Sequence, residues 1–334
     1  MTREREGGMT TLPRAIAIVG PTAAGKGALG REVARRLGRA VLVCDSVKVY
    51  RGLDIGSGKP DAATRADVPH HLIDLVDPDA SFSAADYAAR AWSLLPRVPS
   101  VFVGGTGFYL RATAWTHSAQ REGAHDGARA RIDAPPDDPE RVAFEARWRQ
   151  AESREPGAIS RALAAADPET AAQIHAANLV RGVRTLWLCH CHGAPVSTVR
   201  RADPPAPRLA LLMVVLDPEP AVLAERIERR VDAMIAAGWR DEVEMLRTAG
   251  YHAGHKAMQS LGYREMSSWI EGREDAISTR AAIITATRRY ARRQRTYFRH
   301  QFPGAQVHAI TTPDACPWAA IETFVAGGDQ GVQR

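Results

Sequence analysis

Hydrophobic positions come in short runs through the first third of the chain and at helical spacing later. Five apolar runs, at 15–20, 40–46, 71–77, 100–106 and 209–217, have the length and composition of buried strands. Amphipathic helical patterns separate the first four, beginning with residues 28–37. This alternation predicts an α/β fold with a parallel sheet covered by helices on both faces. Functional groups should then gather at the carboxyl ends of the strands. From about 116 to 203 the strand-like runs stop and Ala, Arg, Asp and Glu dominate, which predicts a helical insertion closing over the core. The irregular links Ala134-Pro135-Pro136 and Asp203-Pro204-Pro205-Ala206-Pro207 punctuate it. Helical stretches follow at 219–237 and about 275–301. The expected plan is a flexible N-terminus (1–14), a core (15–115 and 206–312), an insertion (116–205) and a C-terminal tail (313–334).

Composition narrows the class. The chain has 334 residues, 45% hydrophobic and 25% charged, which fits one large or two modest globular domains. It contains no apolar run of about 20 residues, so no membrane span is expected. Its first residues are polar and lack the apolar core of a secretion signal. A cytoplasmic monomer is the expectation. Four cysteines in a chain this long do not form a disulfide framework. Cys189-His190-Cys191-His192 invites a zinc reading, but helical residues two apart point to nearly opposite sides and no second ligand pair lies at finger spacing. Charge is the more telling quantity. Lys and Arg total 44 against 38 Asp and Glu, and the seven arginines of 276–313, a stretch with no acidic residue, account for the whole excess. A stripe of this kind points to a polyanion, nucleic acid first.

The densest chemistry follows the first run. Gly20-Pro21-Thr22-Ala23-Ala24-Gly25-Lys26-Gly27 sits between a strand and a helix, the context of a phosphate loop. Its glycines let backbone N–H groups converge on one anion, and the helix N-terminus adds partial positive charge. Lys26 brings a full charge. The last position of such a loop normally carries Ser or Thr, whose hydroxyl holds Mg²⁺; here it is Gly27, so one metal ligand is missing. Asp45-Ser46 ends the second run, where a carboxylate can hold Mg²⁺, accept a proton or cap a turn. The polar loop 54–60 follows, and Val103-Gly104-Gly105-Thr106-Gly107 is a second strand-to-glycine turn, which brings Thr106 toward a ligand or simply turns the chain.

Taken in order, these segments resemble one family, the tRNA dimethylallyltransferases. The matching stretches are the phosphate loop, 44–56 (beginning Cys44-Asp45-Ser46-Val47-Lys48), Pro69-His70-His71-Leu72-Ile73-Asp74, 81–87, 103–107, Arg229-Arg230-Val231-Asp232, Met258-Gln259-Ser260-Leu261-Gly262-Tyr263-Arg264 and 287–294. The resemblance runs from about 15 to 299 and is weakest in the insertion. It implies a P-loop NTPase-like core that moves a dimethylallyl group from its diphosphate to the exocyclic amine of an adenine beside the tRNA anticodon, with Mg²⁺ as cofactor. Residues 20–27 and Arg230 would hold the diphosphate. Asp45 would orient the amine and take its proton, and Thr106 would hydrogen-bond the same base. The tRNA contacts implied are Asp45, Ser46, Val47, Lys48, Arg181, Arg184, Gln259, Gly262, Tyr263, Arg264, Arg292, Arg293, Gln294, Thr296 and Arg299, with Gln294 and Thr296 reading bases. The chain departs from the family at Gly27, at Lys48 (usually Gln), at Ala177-Asn178 (usually Asn-Asp) and at Trp187 (usually Glu). A small P-loop kinase would also explain the loop and sheet, and would need ATP, but leaves the arginine stripe without a purpose. A non-catalytic tRNA-binding relative would explain Gly27 but not a retained Asp45 and Thr106.

Overall fold

The computed structural model describes residues 12–116 and 138–329. The described residues form two compact units, one from the chain up to 114 and again from 207, the other from 115–206. In the first unit β1 (Arg14–Val19) leads into α1 (Lys26–Arg36). There follow β2 (Ala40–Cys44), α2 (Ala62–Asp67), β3 (His70–His71), α3 (Ala84–Leu94), β4 (Ser100–Gly104) and α4 (Gly107–Ala114). The second unit holds α5 (Pro139–Arg154), α6 (Ala158–Ala166), α7 (Pro168–Ala171), α8 (Leu179–His192) and α9 (Val196–Ala202). The chain returns with β5 (Ala210–Leu216), α10 (Pro220–Ala236), α11 (Trp239–Thr248), α12 (Tyr263–Ile270), α13 (Ala276–His300), β6 (Gln306–Ile310) and α14 (Trp318–Asp329).

The sheet has six strands in the order β3-β2-β4-β1-β5-β6, and every pairing is parallel. Residues of both parities along β1 and β4 are buried: Ile16, Ile18, Val101 and Val103 on one face, Ala17 and Phe102 on the other. Because side chains alternate across a strand, burial of both sets means that both faces are covered. Leu29 and Val33 of α1 and Ile321 of α14 share one core cluster with the first set.

Three expectations need correction. The run at 71–77 is not a strand beyond His71. Leu72 and Asp74 adopt positive φ, which breaks an extended chain, and Asp74 instead accepts from Lys59 at 2.6 Å and Arg65 at 3.1 Å. A sixth strand, Gln306–Ile310, lies inside the stretch read only for its charge; as an edge strand with mostly exposed residues it lacks a buried run. The segment from 313 is not a tail, because Cys316 and Ile321 are buried in the main core and Trp318 packs on it. Of the expected flexible N-terminus, residues 1–11 lie outside the described residues, as does the 134–136 link. Arg14 belongs to β1 and donates to Phe324 O at 2.5 Å.

The second unit has its own core of Ile159, Leu163, Val183 and Leu186. Asp167 braces it by accepting from Thr170 N at 3.0 Å, Thr170 Oγ1 at 2.7 Å and Ser197 N at 2.8 Å. Burial opposes its ionisation, but these donors prevail and bring its pKa down to about 2. The Cys-His-Cys-His run ends α8, capped by left-handed Gly193, and among the described residues no cluster of ligating side chains could hold a metal ion.

Candidate active site

The loop after β1 is shaped by close packing. Gly20 has φ 141°, and a Cβ there would lie 2.1 Å from the Leu216 carbonyl oxygen, so only glycine lets β5 run alongside. Ala23 also has positive φ, and Gly25 at φ 101° starts α1, aiming free N–H groups of its first turn into the space above the sheet. Gly27 follows, and a Cβ there would meet nothing within 4 Å. The Arg226 guanidinium holds the loop from outside by donating to Ala24 O at 3.1 Å.

This loop forms one wall of a cavity of about 800 Å³ at the carboxyl end of the sheet. Lys26, Lys48, Arg230, Arg264, Arg289 and Arg293 line it, with Asp45 as the single carboxylate among the described residues. Lys26 Nζ donates to Pro21 O at 2.5 Å and Arg230 Nη2 to Ser57 O at 3.3 Å. Burial lowers the Lys26 pKa to about 7, and the like charges of Arg230 and Lys48 add to this against the pull of Asp45. Burial likewise lowers Lys48 and Arg230. Such a wall is built to receive an anion rather than to stand empty.

Asp45 opens the turn after β2, its Oδ1 accepting from Val47 N at 2.9 Å and Lys48 N at 3.3 Å. The adjoining Ser46 N donates to Thr106 Oγ1 at 3.0 Å, and Thr106 N donates to Cys44 O at 3.1 Å, so the two predicted catalytic residues share one hydrogen-bonded corner. The Tyr290 hydroxyl joins this corner through Thr106, and burial first, then Asp45, pushes its pKa up to about 12, keeping it protonated. Tyr290 thus stands in the field of Asp45.

Several expected tRNA contacts are placed otherwise. Gln294 is buried. Its Oε1 accepts from Thr22 N at 2.8 Å and its Nε2 donates to Gly105 O at 2.8 Å, so its amide ties the phosphate loop to the β4 turn and is not free to read a base. Tyr263 is wholly buried and donates its hydroxyl to Glu242 Oε1 at 2.8 Å, while Gly262 packs under Trp239, leaving both out of reach of an RNA. Glu242, which the sequence did not single out, also accepts from Asp54 N at 2.9 Å, Ile55 N at 2.6 Å and Gly56 N at 3.2 Å, fixing the loop whose Ser57 carbonyl holds Arg230. Only its place three residues after Trp239, on the face of α11 that also buries Val243 and Leu246, could have hinted at it.

The basic helix α13 is less uniform than its sequence. Arg280 pairs with Asp232, Arg288 with Glu228, and Arg295 and Arg299 with Asp217. Among the described residues Arg289, Arg292 and Arg293 have no carboxylate partner, and all three are exposed. Gln259, Arg264 and Thr296 are exposed as well, while Ser46, Val47 and Lys48 are half-buried at the cavity. In the second unit Arg181 is exposed, Arg184 half-buried and Trp187 buried; the Asn178 side chain caps α8.

A parallel sheet whose first strand runs into a phosphate loop, with an acid and a hydroxyl at the neighbouring strand ends, defines a P-loop-like transferase core. The family model described as IPP transferase matches residues 48–301, and the model described as isopentenyl transferase matches 13–70. The tRNA dimethylallyltransferase of Symbiobacterium thermophilum is 40% identical over 295 residues, 86% of each chain. That of Pelotomaculum thermopropionicum is 37% identical over 290 residues, 85% of this chain and 87% of its own. Among solved structures, the tRNA isopentenylpyrophosphate transferase of Bacillus halodurans superposes with a TM-score of 0.62 at 32% identity, covering 94% of this chain and 96% of its own. A eukaryotic dimethylallyltransferase solved acting on tRNA shares the fold, with a TM-score of 0.72 at 21% identity over 96% of this chain and 80% of its own. The chain belongs to the tRNA dimethylallyltransferase family.

Proposed function

We propose that this protein transfers a dimethylallyl group from dimethylallyl diphosphate to the exocyclic N6 of the adenine next to the anticodon of a tRNA, releasing diphosphate, in the cytoplasm. The observation that carries the reading is the cavity in which a phosphate loop, several cations and one carboxylate face each other. The loop amides, Thr22, Lys26 and Arg230 receive the diphosphate and neutralise charge as the C–O bond breaks and its electron pair leaves with the phosphate. The amine nitrogen forms the new bond to the dimethylallyl carbon. Asp45 holds that amine and takes its proton, and Thr106, set between Ser46 and Tyr290, aligns the base. Reaching this pocket requires the adenine to leave its stack. Exposed Gln259, Arg264, Arg289, Arg292, Arg293, Thr296 and Arg299, with Arg181 and Arg184 of the second unit, supply phosphate and base contacts along the anticodon stem-loop.

Mg²⁺ fits here in a limited way. It commonly takes one or two carboxylates, substrate phosphate oxygens and several waters. Among the described residues Asp45 is the one carboxylate in the cavity lining, and open space at Gly27 leaves room for water. When bound, the ion would supply further neutralisation of the leaving diphosphate.

The test is incubation with dimethylallyl diphosphate, Mg²⁺ and unmodified tRNA, followed by mass analysis of the nucleosides. The parent should yield a prenylated adenosine. Asp45→Asn should slow transfer by ~10²–10⁴-fold with tRNA affinity unchanged, the usual worth of general acid–base catalysis. Activity within a few-fold of the parent would remove Asp45 as the base.

A further inference from the structure

Lys48 follows Asp45 on the turn after β2, and its backbone is fixed at both ends. Its N–H donates to Asp45 Oδ1 at 3.3 Å and its carbonyl accepts from Asp74 N at 3.1 Å. From this footing its side chain enters the wall that Lys26 and Arg230 also form. Among the described residues the side-chain cation of none of the three forms an ion pair with a carboxylate within 4 Å. The neighbouring Lys59 is different, with Asp54 at 2.7 Å and Asp74 at 2.6 Å. Lys59 is therefore a settled structural cation, whereas Lys48, Lys26 and Arg230 share a poorly hydrated space in which burial disfavours their charges, Arg230 repels both lysines, and only Asp45 attracts them. Like charges gathered out of water cost stability unless an anion completes the group. The loop has no hydroxyl at Gly27, which also lines this space, and a Cβ there would meet nothing within 4 Å.

We propose that Lys48 is a diphosphate ligand, a third cation standing with Lys26 and Arg230, whose charge takes over part of the neutralisation forgone where Gly27 offers no hydroxyl to a metal ion. The inference rests on the diphosphate reading of the cavity and moves Lys48 from the RNA to the leaving group. It is a substitution of one kind of positive charge for another. A fixed ammonium needs no loop hydroxyl, and it acts whether or not a metal ion is present.

The experiment measures binding of inorganic pyrophosphate by calorimetry in chelator-treated buffer, with thermal unfolding alongside, for the parent, Lys48→Gln and Lys48→Arg. The parent should bind without metal. Lys48→Gln should bind roughly tenfold more weakly, the worth of one charge-assisted hydrogen bond. Lys48→Arg should stay near the parent, and tRNA affinity should be the same in all three. With no anion present, Lys48→Gln should melt at or above the parent temperature, because the cost of burying that charge is gone, and it should gain less from added pyrophosphate. A Lys48→Gln protein that binds pyrophosphate as the parent does, that binds tRNA more weakly instead, or that fails to fold, overturns the proposal. Failure of the parent itself to bind pyrophosphate, with or without Mg²⁺, is a separate result and overturns the reading of the cavity.

Discussion

Lys26 is poised between two protonation states, its pKa brought to about 7 by burial and by the like charges of Arg230 and Lys48. The sign of the consequence follows from linkage. The group binds fewer protons folded than unfolded between about 7 and its ordinary value near 10.5, so its burial penalty on the anion-free protein is full below pH 7 and fades as pH rises. An arriving diphosphate favours the ammonium form. Above about pH 7, therefore, pyrophosphate binding should draw a proton onto Lys26, seen as a dependence of binding heat on the ionisation heat of the buffer. Lys26→Arg, charged throughout, should show less proton uptake by up to one proton; equal uptake in both proteins would place the titrating group elsewhere. Lys26, Asp45 and Thr106 are legible in the sequence because their neighbours are ordered motifs at strand ends. Gln294 and Tyr263 are not, because burial is not written in a motif: both are polar, both lie in segments rich in charged residues, and only the fold shows each hydrogen-bonding inward.

The long helix α13 reads in sequence as a continuous cationic face. Its net worth to a polyanion is smaller, since Asp217, Glu228 and Asp232 answer four of its arginines. The unanswered residues, Arg289, Arg292 and Arg293, belong to one stretch, and Arg293 also lies over the Tyr290 ring at 5.7 Å. Neutralising Arg292 and Arg293 together should weaken tRNA binding and reduce the slope of log affinity against log salt by about 0.7–0.9 for each phosphate the pair had neutralised. Pyrophosphate affinity should be nearly unchanged. A constant slope would make this face an ordinary solvated one. The acidic partners of the other arginines lie on α10 and just after β5, far away in sequence, so no local pattern could reveal them.

At the scale of the molecule, the parallel sheet and its helical insertion follow from hydrophobic periodicity, but the closing elements do not. An edge strand such as β6 buries little, and α14 has the position of a tail in the sequence although Ile321 is fully buried in the main core. Ile321→Ala should cost about 2–5 kcal/mol in denaturant unfolding, as for other large-to-small core changes. A cost below about 0.5 kcal/mol, the ordinary size of a surface effect, would mean that the segment is dispensable after all.

The strand order also fixes a sequence of events in time. The central strand β1 pairs with β4 on one side and with β5 on the other, and β5 ends at residue 216. A ribosome adding ~5–20 residues per second needs on the order of ten seconds to go from β4 to the end of β5. For that interval the nascent chain displays an unpaired apolar strand edge, the kind of surface that recruits other chains. The phosphate loop is unfinished for longer still: the Leu216 carbonyl that packs against Gly20 closes β5, but Arg226 and Gln294, which hold the loop from Ala24 and Thr22, follow it in the chain. Gln294 is thus the residue whose synthesis first allows a diphosphate to meet a completed binding loop.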